Sequence, residues 1–491
     1  MNSQIIALTQ RCEETQVQIQ EHRKVLSVVR RLPMEILQEI FFATVDFPPR
    51  MYWSSLTWSV DSSAPTISLW DIELVSKGWR GALLSCARAW SYIVIRDASL
   101  FDFGYSEVIR LGRQLQRAQN HPLSIFIHEP QGTRILSSHL IVCLIPFAHK
   151  IQTMHLSVSY NTIPRFCPIG PSLRSLHSLS ITSNNTFARS HLIVPDPFGD
   201  TFRDAGNLQH LELQDVYYAR IALLSIPWRA ITHLKIANQL KARFHHYTAP
   251  EDILEVLSIV TTIEDLELQI SLVSPNLSGD SNPLTVPSLR SLKFLAPVNH
   301  FGNISSLLDR LDMPSLTQLV VECANGTGSY IAPNQDIMRS ILGLFERSCC
   351  SLTLLKLCDV RMTSYDMRSL FIRLPNLEDL RLANVGNDTI TNTILRELAV
   401  FDESPPAFPK LHTLHIDGAW GFKPANFIKT VRSRCTLSTG YAQLRSVRVA
   451  WKAGVFDDME DRAHAVASQL KDCEADGLEL SSFVFQNASS R

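Results

Sequence analysis

An apolar triplet, spaced apolar-x-x-apolar-x-apolar, recurs along most of the chain. Subtracting successive first positions gives spacings of 23 to 36 residues between copies. Self-similarity at such a spacing is typical of repeat architectures, in which a single unit cannot bury its own apolar face and neighbours must stack. The eleven copies begin at Ile151, Leu176, Leu208, Ile231, Ile263, Leu289, Leu316, Leu352, Leu377, Leu411 and Leu444.

Each triplet predicts a short β-strand whose apolar residues point to one side and whose middle residue points to the other. The segments that follow several triplets favour returning helices, as in residues 305–311, 335–347, 366–374 and 391–401. Two strands, at residues 91–95 and 123–127, and a helical stretch between them precede the first triplet. We therefore predict an α/β fold, a leucine-rich-repeat solenoid over residues 98–491, with a curved parallel sheet and outer helices.

The middle residues of the triplets should line the concave face of that sheet. They are His155, Ser180, Glu212, Lys235, Glu267, Lys293, Val320, Lys356, Arg381, His415 and Arg448. The second half is mostly basic, which favours an acidic or phosphorylated partner. The candidate target-binding residues are Lys293, Lys356, Arg381, His415 and Arg448. Because Glu322, Asp379 and Asp417 flank them, the alternative is a set of ordinary solvated strand positions.

A different pattern occupies residues 32–90. Pro33 suits the first turn of a helix, and Glu35 places negative charge near the positive end of the helix dipole. A broad apolar stripe follows, formed by Ile36, Leu37, Ile40 and Phe41. A second helical stretch, residues 72–89, carries Leu74, Val75, Trp79, Leu83 and Leu84 on one face. Two short helices bury too little surface to be stable alone, so a partner surface is expected. The plain alternative is a helical hairpin capping a larger domain.

The runs L-P-x-E-I-L-x-x-I-F from Leu32 and V-S-K-x-W-R from Val75, followed by Trp90, resemble an F-box. The resemblance covers residues 32–97, with an insertion at about 47–68 that reads as a loop longer than the family normally has. It implies docking on a Skp-type adaptor. The residues expected in that contact, or in its immediate packing, are Leu32, Pro33, Ile36, Leu37, Ile40, Phe41, Leu74, Val75 and Trp79.

The order of helical leader, F-box and repeats resembles the F-box and leucine-rich-repeat proteins of mushroom-forming fungi. The resemblance implies a substrate-recognition subunit of an SCF-type (Skp-cullin-F-box) ubiquitin ligase. The adaptor would join the chain to a cullin-RING ligase, and the repeats would hold an unidentified protein target. Two alternatives stay open: an adaptor-bound F-box protein outside a ligase, and a repeat crescent that modulates an enzyme such as a GTPase.

Residues 1–31 predict an N-terminal helix. Its heptad-like seam is formed by Ile5, Leu8, Cys12, Thr15, Ile19, His22, Leu26 and Val29. Since polar residues interrupt the seam, we expect at most weak self-association through residues 3–31 as a coiled coil. A solvated helix is the alternative.

Charge and motifs exclude several functional classes. The chain has 46 Lys and Arg against 47 Asp and Glu, so nucleic acid and anionic membranes are not expected partners. The longest apolar run, residues 140–147, is too short for a membrane span, and no secretory signal is recognised, which favours the cytoplasm or nucleus. The ten cysteines form no C-x-x-C pair, and phosphate-loop, dinucleotide, nucleophile-elbow and zinc-protease motifs are missing. We expect no metal, no cofactor and no catalysis.

Overall fold

The computed structural model describes most of the chain. The described residues are 8–19, 32–44, 52–54, 57–59, 69–95, 105–129, 138–159, 162–183, 198–216, 221–237, 250–269, 282–296, 301–323, 336–386, 388–400, 406–418, 422–435, 441–452 and 459–485.

One parallel sheet runs through the molecule, and it contains fourteen strands within these ranges. The strands are β1 (Tyr92–Ile95), β2 (Leu123–His128), β3 (Ile151–Val158), β4 (Ser178–Ser183), β5 (His210–Gln214), β6 (His233–Ala237), β7 (Asp265–Gln269), β8 (Ser291–Ala296), β9 (Gln318–Cys323), β10 (Leu354–Cys358), β11 (Asp379–Ala383), β12 (Thr413–Gly418), β13 (Ser446–Lys452) and β14 (Glu479–Phe485). Each strand pairs only with its neighbours in chain order. The predicted α/β class, with a long parallel sheet and outer helices, is confirmed.

The strand register follows the apolar triplets. Leu355 of β10 pairs with Leu380 of β11, which in turn pairs with Leu414 of β12. The apolar residues of all eleven triplets are buried and belong to one continuous core. The leucines of successive strands therefore form rows across the sheet, and each unit packs on the next.

Helices connect the strands and cover the leucine side of the sheet. Those after β1 are α5 (Tyr105–Arg117), α6 (Ser138–Leu144), α7 (Pro250–Ile259), α8 (Phe301–Asp309), α9 (Asp336–Ser348), α10 (Ser364–Arg373), α11 (Asn392–Leu398), α12 (Pro424–Cys435), α13 (Met459–Gln469) and α14 (Lys471–Ala475). Segments of 3₁₀ helix take this place in other units, at Ile145–Lys150, Ile163–Ser175, Ile221–Leu223 and Trp228–Ala230. A small parallel pair, Leu284–Thr285 with Leu311–Asp312, lies outside the main sheet.

Several strands are followed directly by a residue whose backbone is left-handed. Asp215, Asp359 and Asn384 have φ values of 54°, 59° and 52°, and each follows the last residue of its strand. Asp and Asn adopt this conformation more readily than other non-glycine residues. The Asp359 amide donates to Ala383 O at 2.8 Å, and the Asn384 amide donates to Asp417 O at 2.8 Å. The turn thus leaves the sheet while the hydrogen bonding to the next strand continues.

The last unit has no intact triplet. In the pairing of β13 with β14, Leu480 lies opposite Val447, but Ser482 lies opposite Val449. The polar residue breaks the pattern, so sequence reasoning found neither β14 nor α13 before it. At the other end, β1 lies inside the 32–97 range that the sequence gives to the helical segment.

The N-terminal part is helical. Residues 8–19 form a helix whose side chains are all exposed, while the remaining seam residues lie outside the described ranges. Four helices follow: α1 (Met34–Thr44), α2 (Leu69–Val75), α3 (Lys77–Leu84) and α4 (Ala87–Trp90). Of the predicted insertion, residues 52–54 and 57–59 are described, and they form an antiparallel strand pair rather than irregular loop. Among the helices described, none is long and apolar enough to cross a membrane.

Candidate functional site

Helix α1 packs on α3 through part of its apolar stripe. Leu37 and Phe41 are buried, and the Phe41 ring lies 5.3 Å from the Trp79 ring. The Gln38 side chain donates to Ala82 O at 3.4 Å. These contacts hold the two helices together, so Leu37 and Phe41 act in internal packing.

A serine begins α3 and a tryptophan closes the segment. Ser76 is the N-cap of α3, where its hydroxyl accepts a hydrogen bond from the Trp79 amide at 3.2 Å. Trp90 is fully buried, and its indole N–H donates to Leu83 O at 2.9 Å. The motif residues Ser76, Trp79 and Trp90 therefore have structural roles.

Both α1 and α2 leave large apolar side chains in solvent. On α2, Leu74 is 83% exposed and Val75 is 59% exposed. On α1, Ile36 is 47% exposed and Met34 is 48% exposed. Sequence reasoning missed Met34, although its position beside Glu35 in the motif was a usable signal. We call Met34 and Ile36 of α1, with Leu74 and Val75 of α2, the docking face, after the adaptor contact that the F-box resemblance implies.

The structure divides the nine adaptor candidates into three groups. Pro33, Ile36, Leu74 and Val75 are exposed; Leu32, Ile40 and Trp79 are partly buried; Leu37 and Phe41 are buried. The exposed group lies in solvent, whereas the buried pair belongs to the hydrophobic core.

An arginine from the first outer helix reaches back to these helices. Arg117 of α5 forks onto Glu73 of α2, with Nη1 2.7 Å from Oε2 and Nη2 3.2 Å from Oε1. Its guanidinium carbon lies 4.7 Å from the ring centroid of Trp70 and 4.4 Å from that of Trp90. Arg80 also contacts Glu73, at 3.1 Å. No periodic pattern in the sequence predicts this cluster.

The middle residues of the triplets form one row across the sheet, as predicted. Consecutive backbone pairings run from His155 through Ser180, Glu212, Lys235, Glu267, Lys293, Val320, Lys356, Arg381 and His415 to Arg448. This row lies on the side of the sheet that the repeat pattern predicts to be concave, and we call it the concave face. The apolar and aromatic residues Val94 and Phe126 extend it toward the N-terminus.

Charges along the row are paired with carboxylates. Lys235 lies 3.0 Å from Glu212 and 3.5 Å from Glu267, and Lys293 lies 3.4 Å from Glu267. These four residues make a ladder of alternating sign across four neighbouring strands. The ladder stabilises the strand order locally and carries little net charge.

The remaining target candidates have partners too. Lys356 lies 2.6 Å from Glu322, and Arg381 lies 2.7 Å from Asp379. Arg448 lies 3.0 Å from Asp417. His415 Nε2 is 3.2 Å from the Ser446 hydroxyl. The basic surplus expected from the triplet positions is thus offset by flanking acids.

In two of these pairs the arginine is the more exposed partner. The Arg381 side chain is 41% exposed and its Asp379 partner 13%. For Arg448 and Asp417 the exposed fractions are 42% and 23%. The carboxylates orient the guanidinium groups from below, so the face offers directed hydrogen-bond donors rather than a net positive field.

Burial affects two histidines of the row. His155 stacks on Phe126 with ring centroids 4.6 Å apart, and burial lowers the pKa of His155 to about 4. Burial, followed by the charge of Arg381, also lowers the pKa of His415. Desolvation disfavours the protonated ring. Both imidazoles are therefore neutral at pH 7.

Burial also affects two of the cysteine thiols. Burial raises the pKa of Cys350 to about 11 and that of Cys358 to about 12, which leaves both as inert thiols at neutral pH. The ranges that the structure describes contain no group of three or more His, Cys, Asp or Glu side chains placed to hold a metal ion.

No protein-family model matches the sequence, and neither does any curated protein. Among solved structures, a chain in the crystal structure of the Rad7 and Elc1 complex in yeast is similar to this protein. The match covers 90% of this protein's chain and 97% of the chain in that crystal structure. The identity is 11% and the TM-score is 0.30. A likeness this distant carries no argument about this chain. The strand order and register of the described residues define the class, an α/β solenoid with one long parallel sheet and outer helices.

Proposed function

We propose that residues 32–95 dock on a Skp-type adaptor and that the repeats hold a protein target. The chain would then be the substrate-recognition subunit of a cullin-RING ubiquitin ligase, without chemistry of its own, working in the cytoplasm or nucleus. The observation that carries the proposal is the docking face, where the F-box-like motifs leave Ile36, Leu74 and Val75 in solvent.

The energetics favour a protein partner for this face. Full burial of an aliphatic side chain of this size is worth about 1.5 to 3 kcal/mol. Met34, Ile36, Leu74 and Val75 lie on two short helices that are already packed from behind by Leu37, Phe41 and Ile72. A partner would gain from their burial without reorganising the helices. Apolar residues backed by rigid packing are typical of the centre of a protein interface.

The concave face supports target binding of a specific kind. Because its cations are paired with carboxylates, long-range attraction of an acidic target contributes little. Recognition there would depend on directed hydrogen bonds from Arg381 and Arg448 and on shape. We therefore expect target capture to depend weakly on salt.

Charge substitutions in the docking face test the proposal. Ile36→Asp and Leu74→Asp should each weaken binding of a recombinant Skp-type adaptor about thirtyfold or more, the loss of a contact worth roughly 2 kcal/mol. The matched control is Ile372→Asp, which places the same charge at a 78% exposed position on α10, far along the chain from the docking face. Calorimetric titration measures the affinities, and circular dichroism checks the fold.

Equal binding by wild type and both docking-face variants would contradict the proposal. If the docking-face variants lose adaptor binding as expected, reconstitution of the wild-type protein with adaptor, cullin, RING protein and ubiquitin separates the remaining alternatives. Ubiquitin transfer to a co-purified target supports a ligase receptor. Adaptor binding without transfer indicates a role outside a ligase. If wild type itself does not bind the adaptor, a repeat crescent that modulates an enzyme is favoured instead.

A further inference from the structure

Arg117 connects helices α2 and α4 to α5, the first outer helix of the solenoid. It is the last residue of α5, yet it contacts Glu73 and Trp70 of α2 and Trp90 of α4. One side chain therefore joins three helices that are separated along the sequence.

The environment makes this contact strong for an ion pair near the surface. The Glu73 side chain is 9% exposed and that of Arg117 is 21% exposed, so water screens the pair only partly. The planar guanidinium suits both the forked carboxylate contact and the two indole faces, which an ammonium group would not. The Trp70 and Trp90 rings also contact each other, with centroids 5.2 Å apart.

The position of Glu73 gives the contact its significance. Glu73 immediately precedes Leu74 and Val75, the two most exposed residues of the docking face. Helix α2 has 7 residues, fewer than an isolated helix needs for stability in water. Its placement depends on tertiary contacts, which include the buried Leu69 and Ile72, the contact of Trp70 with Trp90 and the Glu73 carboxylate.

We infer that Arg117 is a positioning residue for the docking face. It holds α2 through Glu73, so that Leu74 and Val75 face outward in a set orientation relative to the repeats. The inference rests on the proposed function for its consequence, adaptor binding, but the placement of α2 is open to measurement without the adaptor.

Arg117→Met tests the inference in the full-length protein, because methionine keeps much of the apolar contact with the indoles and removes the fork. Hydrogen exchange over residues 69–75 should quicken about tenfold, the loss expected for a hydrogen bond to a charged group. Adaptor affinity should fall by a similar factor. Arg117→Lys keeps the charge without the fork, so its exchange rate and adaptor affinity should lie between those of wild type and Arg117→Met. Such an intermediate result would show that the loss in Arg117→Met is not caused by general unfolding.

The matched control is Arg368→Met. Arg368 of α10 also forks onto a carboxylate, with Nε at 3.0 Å and Nη2 at 2.7 Å from Glu397 Oε1, but on the outer helices of the solenoid. This variant should leave exchange over residues 69–75 and adaptor affinity unchanged. Unchanged exchange over residues 69–75 in Arg117→Met overturns the inference, whatever the adaptor does. Failure of wild type itself to bind the adaptor would instead overturn the proposed function, and the exchange result would still judge Arg117.

Discussion

Single residues of the concave face show how burial and charge act against each other. His155 lies on the same face as Lys235 and Arg381, but it stacks on Phe126 and has the lowered pKa of a desolvated imidazole. The place of His155 in its triplet predicts a solvated side chain, but in the structure the side chain packs on Phe126. The lowered pKa of His155 affects the stability of the protein in acid.

Because the pKa of His155 is about 4 in the folded state and near 6.5 in the unfolded state, its contribution is fully present above pH 6.5. It is lost as the pH falls from 6.5 toward 4, since the unfolded chain then binds the proton first. The loss attributable to this residue is at most about 3 kcal/mol. His155→Phe, which keeps the stacking, should reduce the fall in unfolding free energy over this window.

Denaturant unfolding at a series of pH values measures this effect. The matched control is His149→Phe at an exposed histidine, which should keep the wild-type pH dependence. An unchanged slope in His155→Phe would show that the imidazole is solvated in the folded protein.

At the scale of elements, a buried arginine joins α12 to its neighbours. Arg434 is 1% exposed, and its guanidinium donates to Leu398 O at the end of α11 and to Ala407 O and Phe408 O in the following loop. The carbonyls at a helix C-terminus lack intrahelical partners, which suits a cationic donor. Burial lowers the pKa of Arg434 to about 10, so the group stays charged at neutral pH.

Arg434→Met should lower the free energy of unfolding by about 2 kcal/mol or more, because buried carbonyl groups lose their donor. Arg432→Met, two residues away on α12 at an exposed position, should cost less than about 1 kcal/mol. Denaturant unfolding of both variants is the measurement. A gain in stability for Arg434→Met would show that desolvation of the charge outweighs its hydrogen bonds.

The whole molecule is a chain of nearest-neighbour contacts. Among the described residues, each strand of the main sheet pairs only with the strands next to it in sequence, and the end strands β1 and β14 have one such neighbour each. Stability in such a solenoid is approximately a sum of unit and interface contributions, so a local change should decay with distance along the sheet. The N-terminal helices join this series at β1, and their core is continuous with that of the repeats.

Leu380→Ala in β11 tests this organisation. Leu380 is fully buried, and its truncation should cost about 2 to 5 kcal/mol. Hydrogen exchange should quicken most in β10, β11 and β12 and stay unchanged in β1 to β3. Arg381→Ala, one residue along on the concave face, should cost less than about 1 kcal/mol. Equal costs for the two, or exchange that quickens throughout the sheet, would contradict the register or the nearest-neighbour behaviour.

The sequence by itself determined the repeat class, the strand register and the inward face of every triplet. These follow from local periodicity, because a strand with apolar residues at alternate positions has one face that must be buried. It also indicated a helix after Pro33 and a second helix over residues 72–89. The second was wrong as one helix, because the structure divides this stretch into α2, α3 and α4, and Ser76 has extended backbone and caps α3. The last unit escaped detection because Ser482 takes the place of an apolar residue.

Only the tertiary structure decided which apolar residues of α1 and α2 face solvent, and which partners the charged residues find. Leu37 and Ile36 are adjacent in the same motif, yet one is buried and the other exposed, since α3 covers only one side of α1. The pairing of Lys356 with Glu322, and of Arg117 with Glu73, joins residues 34 and 44 positions apart. Contacts at such separations depend on how units stack, which local periodicity does not encode.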